Sequence, residues 1–206
     1  MTRIFSGDQL SSFLDSSMRS AIEWVRGRRE QDVLSDRVAL EQEAITRHSF
    51  EPIVIDRDGI RSTAPKENVI TKKFRGETTT ERNWAITLDV PYTGGSEVIF
   101  RLQASRFMLT GQPEGYASRE AVHLEIFAPE MTADALNQRS QEAVAKLEEL
   151  VRYANVDLAA YNASVTQAIR STLDARTESI NARRQAATQL DFPIRPADPN
   201  GNSQRW

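Results

Sequence analysis

Cysteine is absent from the 206 residues, and histidine occurs only twice, as His48 and His123. The first absence excludes disulfides and thiolate chemistry and suits a reducing cytosol. The second leaves any transition-metal site dependent on carboxylates. No apolar run approaches the ~20 residues of a membrane span. The opening Met1-Thr2-Arg3-Ile4-Phe5-Ser6-Gly7-Asp8 leads into a polar helix without the apolar core of a signal peptide. A soluble, cytoplasmic chain with no membrane contact is expected. Excess positive charge is missing too, with 26 Lys and Arg against 29 Asp and Glu. The balance is even along the chain: 7 basic and 8 acidic groups in residues 1–49, 10 and 11 in 50–128, 7 and 9 in 130–192. Nucleic acid is therefore the disfavoured partner. There is no G-x-S-x-G elbow, no H-E-x-x-H and no Walker-type loop. Lys66, Lys72 and Lys73 lack the acidic framing of a two-metal nuclease. No cofactor and no metal are expected.

Residues 130–192 contain neither proline nor glycine. Within them Leu136, Leu147, Leu158, Ile169 and Ile180 lie eleven apart, with Ala143, Ala154 and Val165 in a second row at the same interval. Eleven residues make three turns at about 3.67 residues per turn, so both rows stay on one side of a nearly straight helix. From Ala133 to Leu190 that helix would run roughly 87 Å at about 1.5 Å per residue. A stripe of this length is expected to exceed what one small body can cover. The five residues of the main row are accordingly candidate interface residues, facing a second copy or a partner in coiled-coil-like fashion. Thr132 is the expected N-cap, Met131 and Leu136 have staple spacing, and Asp134 suits the first turn. Asn155-Val156-Asp157 is the weakest helical point, but the eleven-residue phase passes through it without a slip, which favours continuity.

Before this helix the pattern divides. Ser6 and Gln9 have capping-box spacing, Phe5 and Leu10 staple spacing, and Leu10, Phe13, Leu14, Met18, Ile22 and Val25 form one apolar face. Gly27 is a stop signal. A second, polar helix is expected from about Glu30 to Arg47. From Phe50 the chain turns β-rich: Ile53-Val54-Ile55 ends at the Asp58-Gly59 turn, and residues 60–67 read as loop. Val69–Phe74 suits an edge strand bearing Lys72 and Lys73. Trp84, Ile86, Leu88 and Val90 alternate with Ala85, Thr87 and Asp89. Pro91-Tyr92-Thr93-Gly94-Gly95 then reads as a turn into a further strand through Val98, Phe100, Leu102 and Ala104. Val122, Leu124 and Ile126 mark another. The fold class is α+β: N-terminal helices (1–49), a small antiparallel sheet of four or five strands (50–129), a long C-terminal helix (130–192) and a disordered tail or linker (193–206).

Candidate chemistry is sparse. His123 and Glu125 share a strand face that Asp89 is placed to approach, which would suit a metal site or an acid–base pair, although a one-sided sheet presents such a polar face anyway. His48 lies near a helix end, where an imidazolium favours the dipole. Tyr92 and Arg101 flank the glycine-rich turn and are candidate ligand-binding residues, since loops carry binding groups.

Three segments resemble the N-terminal module of uncharacterised prokaryotic proteins of the restriction and antiphage-defence kind. They are Val90-Pro91-Tyr92-Thr93-Gly94-Gly95 leading to Phe100-Arg101-Leu102, Tyr161-Asn162-Ala163-Ser164 within the long helix, and Ala182-Arg183-Arg184-Gln185 continuing to Leu190-Asp191-Phe192-Pro193-Ile194. The resemblance covers residues 50–195. It implies an effector domain, often nuclease-like, supplied outside this chain, and it carries over no catalytic residue. The leading expectation is a non-enzymatic interaction, sensor or scaffold subunit that self-associates or docks an effector-carrying protein through its long helix. The alternatives are a module binding a nucleotide signal and a hydrolase using Asp89, His123 and Glu125.

Overall fold

A computed structural model of the chain describes residues 3–74, 77–106, 112–129 and 132–189. Three helices come first: α1 (Leu10–Arg26), α2 (Glu30–Ser35) and α3 (Arg37–His48). A six-stranded sheet follows, made of β1 (Val54–Ile55), β2 (Arg61–Ser62), β3 (Lys66–Phe74), β4 (Glu77–Thr93), β5 (Gly115–Ala117) and β6 (Ala121–Ala128). Helix α4 (Ala133–Thr188) closes the described chain. The class is α+β with a long helix, as the sequence predicts.

Strand β4 is the axis of the sheet. Along one edge it pairs antiparallel with β1, β2 and β3 in turn, and along the other with β6, which carries β5 outside it. The last β6 partner is Ala128, opposite Trp84, so, among the described residues, 77–83 of β4 pair with β3 alone. That leaves a two-stranded ribbon running about 24 Å beyond the sheet at 3.4 Å per residue. On the inner face, Ile86, Leu88, Val90 and Tyr92 of β4 meet Val122, Leu124, Ile126 and Ala128 of β6, all buried.

Helix α4 is unbroken for 56 residues, about 84 Å. A compact chain of 206 residues would be only about 43 Å across, from a radius of gyration near 17 Å. Thr132 caps it, its Oγ1 accepting from Ala135 N at 3.2 Å, and Asp134 sits in the first turn. Met131 and Leu190 lie outside the described residues. The expectation that the stripe outruns its own body is corrected here. Leu136, Leu147, Leu158, Ile169 and Ile180 are each at most 8% exposed within the single chain. The first half of α4 lies over β6, and the second half packs on α1, α3 and α2, so sheet and helices share one continuous core. No partner is needed to cover the stripe, because the N-terminal helices are laid end to end with the sheet along it.

Polar latches fix that arrangement. The Asn155 amide accepts from Ile53 N (2.9 Å) and donates to Ile53 O (2.8 Å). Seven residues on, the Asn162 amide does the same with Phe50 N (3.0 Å) and O (2.8 Å). Asp157 accepts from the backbone N and the hydroxyl of Ser105, and Tyr161 Oη donates to His48 O at 3.1 Å. These polar side chains serve backbone that crosses the helix outside any regular pairing, where an unmet donor or acceptor is costly. Farther along, the Arg176 guanidinium donates to the carbonyls of Arg26 and Arg28 at the end of α1.

Four local expectations are corrected. Helix α1 starts without a capping box: Ser6 Oγ donates to Arg3 O, and Leu10 N is satisfied by Gln103 O at 2.7 Å. Residues 30–48 form two helices because the Asp36 carboxylate accepts from Ala39 N at 2.9 Å and opens a new one. Residues 60–67 are not all loop, since β2 and the start of β3 fall there. The segment after Gly95 is no hairpin partner of β4. Gly94 has φ +70 and approaches the Pro52 carbonyl where a Cβ would stand 2.0 Å from the oxygen, which turns the chain away. Ile99–Arg101 then forms a 3-10 turn with consecutive Ile99 and Phe100 both buried. Its backbone is satisfied by the N-terminal segment, through Phe5 N to Phe100 O (2.5 Å) and Gly7 N to Arg101 O (2.8 Å).

Replacing Asn155 or Asn162 by Leu should cost about 1–3 kcal/mol each in denaturant unfolding, because each change orphans a backbone N–H and C=O; a loss below 0.5 kcal/mol would show the latches to be incidental. Ile169→Asp should destabilise the whole chain by several kcal/mol, since it places an unpaired charge in the core. A variant that stayed fully folded and merely lost self-association would contradict that.

Candidate functional site

The outer face of the sheet carries the densest chemistry. The two-residue period that buries Leu88, Val90, Val122 and Leu124 sends Asp89 and His123 to the opposite side. Strand register sets Arg61 of β2 opposite Asp89, Asp89 opposite His123, and His123 opposite Tyr116 of β5. Within this row His123 Nδ1 lies 2.7 Å from Asp89 Oδ1 and its Nε2 lies 3.2 Å from Ser118 Oγ. The Tyr116 ring stacks on the imidazole at 4.5 Å. In the tautomer with Nδ1–H donating to the carboxylate, Nε2 is an acceptor, and the single Ser118 hydroxyl proton is shared between it and Ala121 O.

Ser118 is held by the turn joining β5 to β6. Its backbone N donates to Ala121 O (2.9 Å), while its hydroxyl lies 3.1 Å from Ala121 O and 3.3 Å from Ala121 N. Gly115, at φ +153, lets β5 come close to β6, since a Cβ there would stand 2.0 Å from His123 O. The row is open to water: the Asp89 side chain is 46% exposed and that of His123 21%.

The predicted residues fall in different places. Asp89 and His123 come together, whereas Glu125 stands opposite Thr87 with no hydrogen bond to His123 among the described residues. Tyr92 and Arg101 do not converge. Tyr92 is buried against Phe100 at 4.6 Å and its hydroxyl donates to Ser118 O at 2.6 Å; burial and the nearby Glu97 raise its pKa above the ordinary value. Arg101 is exposed on the 3-10 turn, 3.9 Å from Glu97. The five stripe residues lie in the core described above. Ser118 was not foreseen, because its relevance depends on β5, a three-residue strand too short to show alternation. Among the described residues no group of three or more His, Asp or Glu side chains is placed to hold a metal ion, and no helix is long and apolar enough to cross a membrane.

His48 departs from the expected charged cap. Its ring meets Trp24 edge-on at 5.9 Å, and its Nε2 is buried with no partner among the described residues. Burial, then the charge of Arg47, lowers its pKa below the ordinary 6.5.

No family model, no curated protein and no solved structure matches the chain.

The lowered pKa of His48 gives a pH dependence of fixed sign. Between the folded value and 6.5 the unfolded chain binds more protons, so this contribution to stability is full above 6.5 and declines as pH falls through that window. Unfolding titrations at pH 7.5 and 5.5 should show a smaller difference for His48→Gln than for the natural chain; an equal difference would place the acid sensitivity elsewhere.

Proposed function

We propose that the chain is an adaptor: a scaffold or sensor subunit that joins two partners at opposite ends of a stiff spine, one of them carrying an effector activity. The observation that carries this reading is what projects beyond the core at the two ends of α4. The β3–β4 ribbon leaves the sheet at Trp84, opposite Ala128, five residues before α4 begins. At the far end Ile180 is the last buried residue among those described, and residues 181–189 continue with almost no cover. The outer edge of β3 pairs with no other strand among the described residues, and an open edge is a ready template for strand addition. With its apolar stripe already buried, α4 acts as the spacer, and docking falls to its ends. The likeness to defence modules supports an effector as one partner and a prokaryotic antiphage role as the setting.

A second reading, a module for a nucleotide signal, is favoured by a groove of about 610 Å³ between the end of α1 and α4. Arg26, Arg176, Arg183, Ser171, Thr172 and Ser179 line it beside Glu30, a set whose excess of cations and hydroxyls suits phosphate. The adaptor reading ranks first because Arg176 is committed to carbonyls and Arg183 to Glu30 at 2.6 Å.

Replacing residues 69–82 by a two-residue turn, or removing residues 182–206, should leave thermal stability within about 1 kcal/mol, since none of the residues whose burial is described in either segment is buried. Each deletion should abolish co-purification with one partner encoded beside this gene and spare the other. Retention of every partner by the double deletion would refute the adaptor reading. A nucleotide raising the melting temperature of the natural chain, but not of Arg26→Ala, would transfer support to the second reading.

A further inference from the structure

The Asp89–His123–Ser118 line has a chemical capacity independent of the adaptor reading. A hydroxyl within reach of an imidazole, itself oriented by a carboxylate on its other nitrogen, is the arrangement that turns serine into a nucleophile, whatever the fold. Both links are in hydrogen-bond range, at 3.2 and 2.7 Å. Tyr116 stacks on the imidazole and Tyr92 fixes the Ser118 carbonyl, so ring and turn are both braced. The backbone N–H groups of Arg119 and Glu120, next to Ser118 at the exposed tip of the turn, donate to no acceptor among the described residues. They are the available donors for a developing oxyanion.

We infer that Ser118, His123 and Asp89 form an acyl-accepting site on the outer face of the sheet, acting on small activated esters. Ser118 Oγ attacks the ester carbonyl carbon as His123 Nε2 takes the hydroxyl proton, and the carbonyl π pair moves onto oxygen. Asp89 stabilises the imidazolium through Nδ1–H. The tetrahedral adduct collapses with cleavage of the ester C–O bond, and Nε2 returns the proton to the departing alkoxide, giving alcohol and acyl-Ser118. Water then attacks the acyl group by the same proton route, releasing the carboxylic acid and restoring the serine. Ester and water enter, alcohol and acid leave, and no oxidant or metal is required. In the resting chain the hydroxyl proton has two acceptors at nearly equal range, Ala121 O at 3.1 Å and His123 Nε2 at 3.2 Å, so a small rotation arms the nucleophile.

The test uses the whole chain with two probes, a fluorophosphonate and p-nitrophenyl acetate, read by intact mass and peptide mapping. One adduct per chain on Ser118 is expected, together with a burst of nitrophenolate. Ser118→Ala should abolish both, and His123→Gln should slow labelling by at least about a hundredfold, the range of lost general-base catalysis. Asp89→Asn should slow it less, and Glu125→Gln should leave it within twofold of the natural rate. A hydroxyl that only braces the turn would not be selectively phosphonylated, nor depend on His123. Should Ser118→Ala fail to fold, the mapped adduct on the natural chain and the His123→Gln rate still decide. An unlabelled natural chain, labelling scattered over other side chains, or labelling indifferent to His123 would each overturn the assignment.

Discussion

Two asparagine side chains decide how this molecule is assembled. The link from α3 to the sheet crosses α4 at Phe50–Ile53 before it joins any strand, so its backbone has no ladder to enter. Asn162 and Asn155 meet it there, each closing on one residue with both a donor and an acceptor. Their spacing of seven residues puts both amides on one side of the helix, about 10.5 Å apart along its axis. With both engaged, the three N-terminal helices lie along one part of α4 and the sheet along the other. The core then becomes a long seam, and the extended stripe of α4 is sheathed from Leu136 to Ile180 by a single chain.

The same contacts explain what the sequence conveys and what it hides. Eleven-residue spacing announces a straight helix and marks its buried side correctly from Leu136 to Ile180, and alternation does the same for β4 and β6. Periodicity is blind to what covers a stripe, however, because that depends on contacts more than a hundred residues apart, such as Phe50 with Asn162. Asn155 and Asp157 read as helix-weakening residues for the same reason: their low propensity is visible locally, but their tertiary partners Ile53 and Ser105 are not. The alternation of Val98–Ala104 misleads because Phe5 and Gly7, far away in sequence, supply that segment's backbone partners.

Of the site, Asp89 and His123 were legible as a possible pair, since both lie on the polar side of strongly alternating strands. Ser118 was not, because the three-residue β5 before it shows no alternation and a serine there looks like any turn residue. The two proposed roles divide along the same line. The spine, ribbon and bare helix end are coarse features suited to joining partners, whereas the outer-face row is a local constellation of three side chains. Neither requires the other, and both depend on the sheet being held against α4.

Amide hydrogen exchange tests that dependence most directly. If the asparagine latches hold the crossing segment, the Phe50 and Ile53 amides should exchange as slowly as amides in the middle of α4, although neither residue belongs to a helix or strand. Exchange at those two positions on the timescale of exposed loop amides, with α4 still protected, would contradict the account.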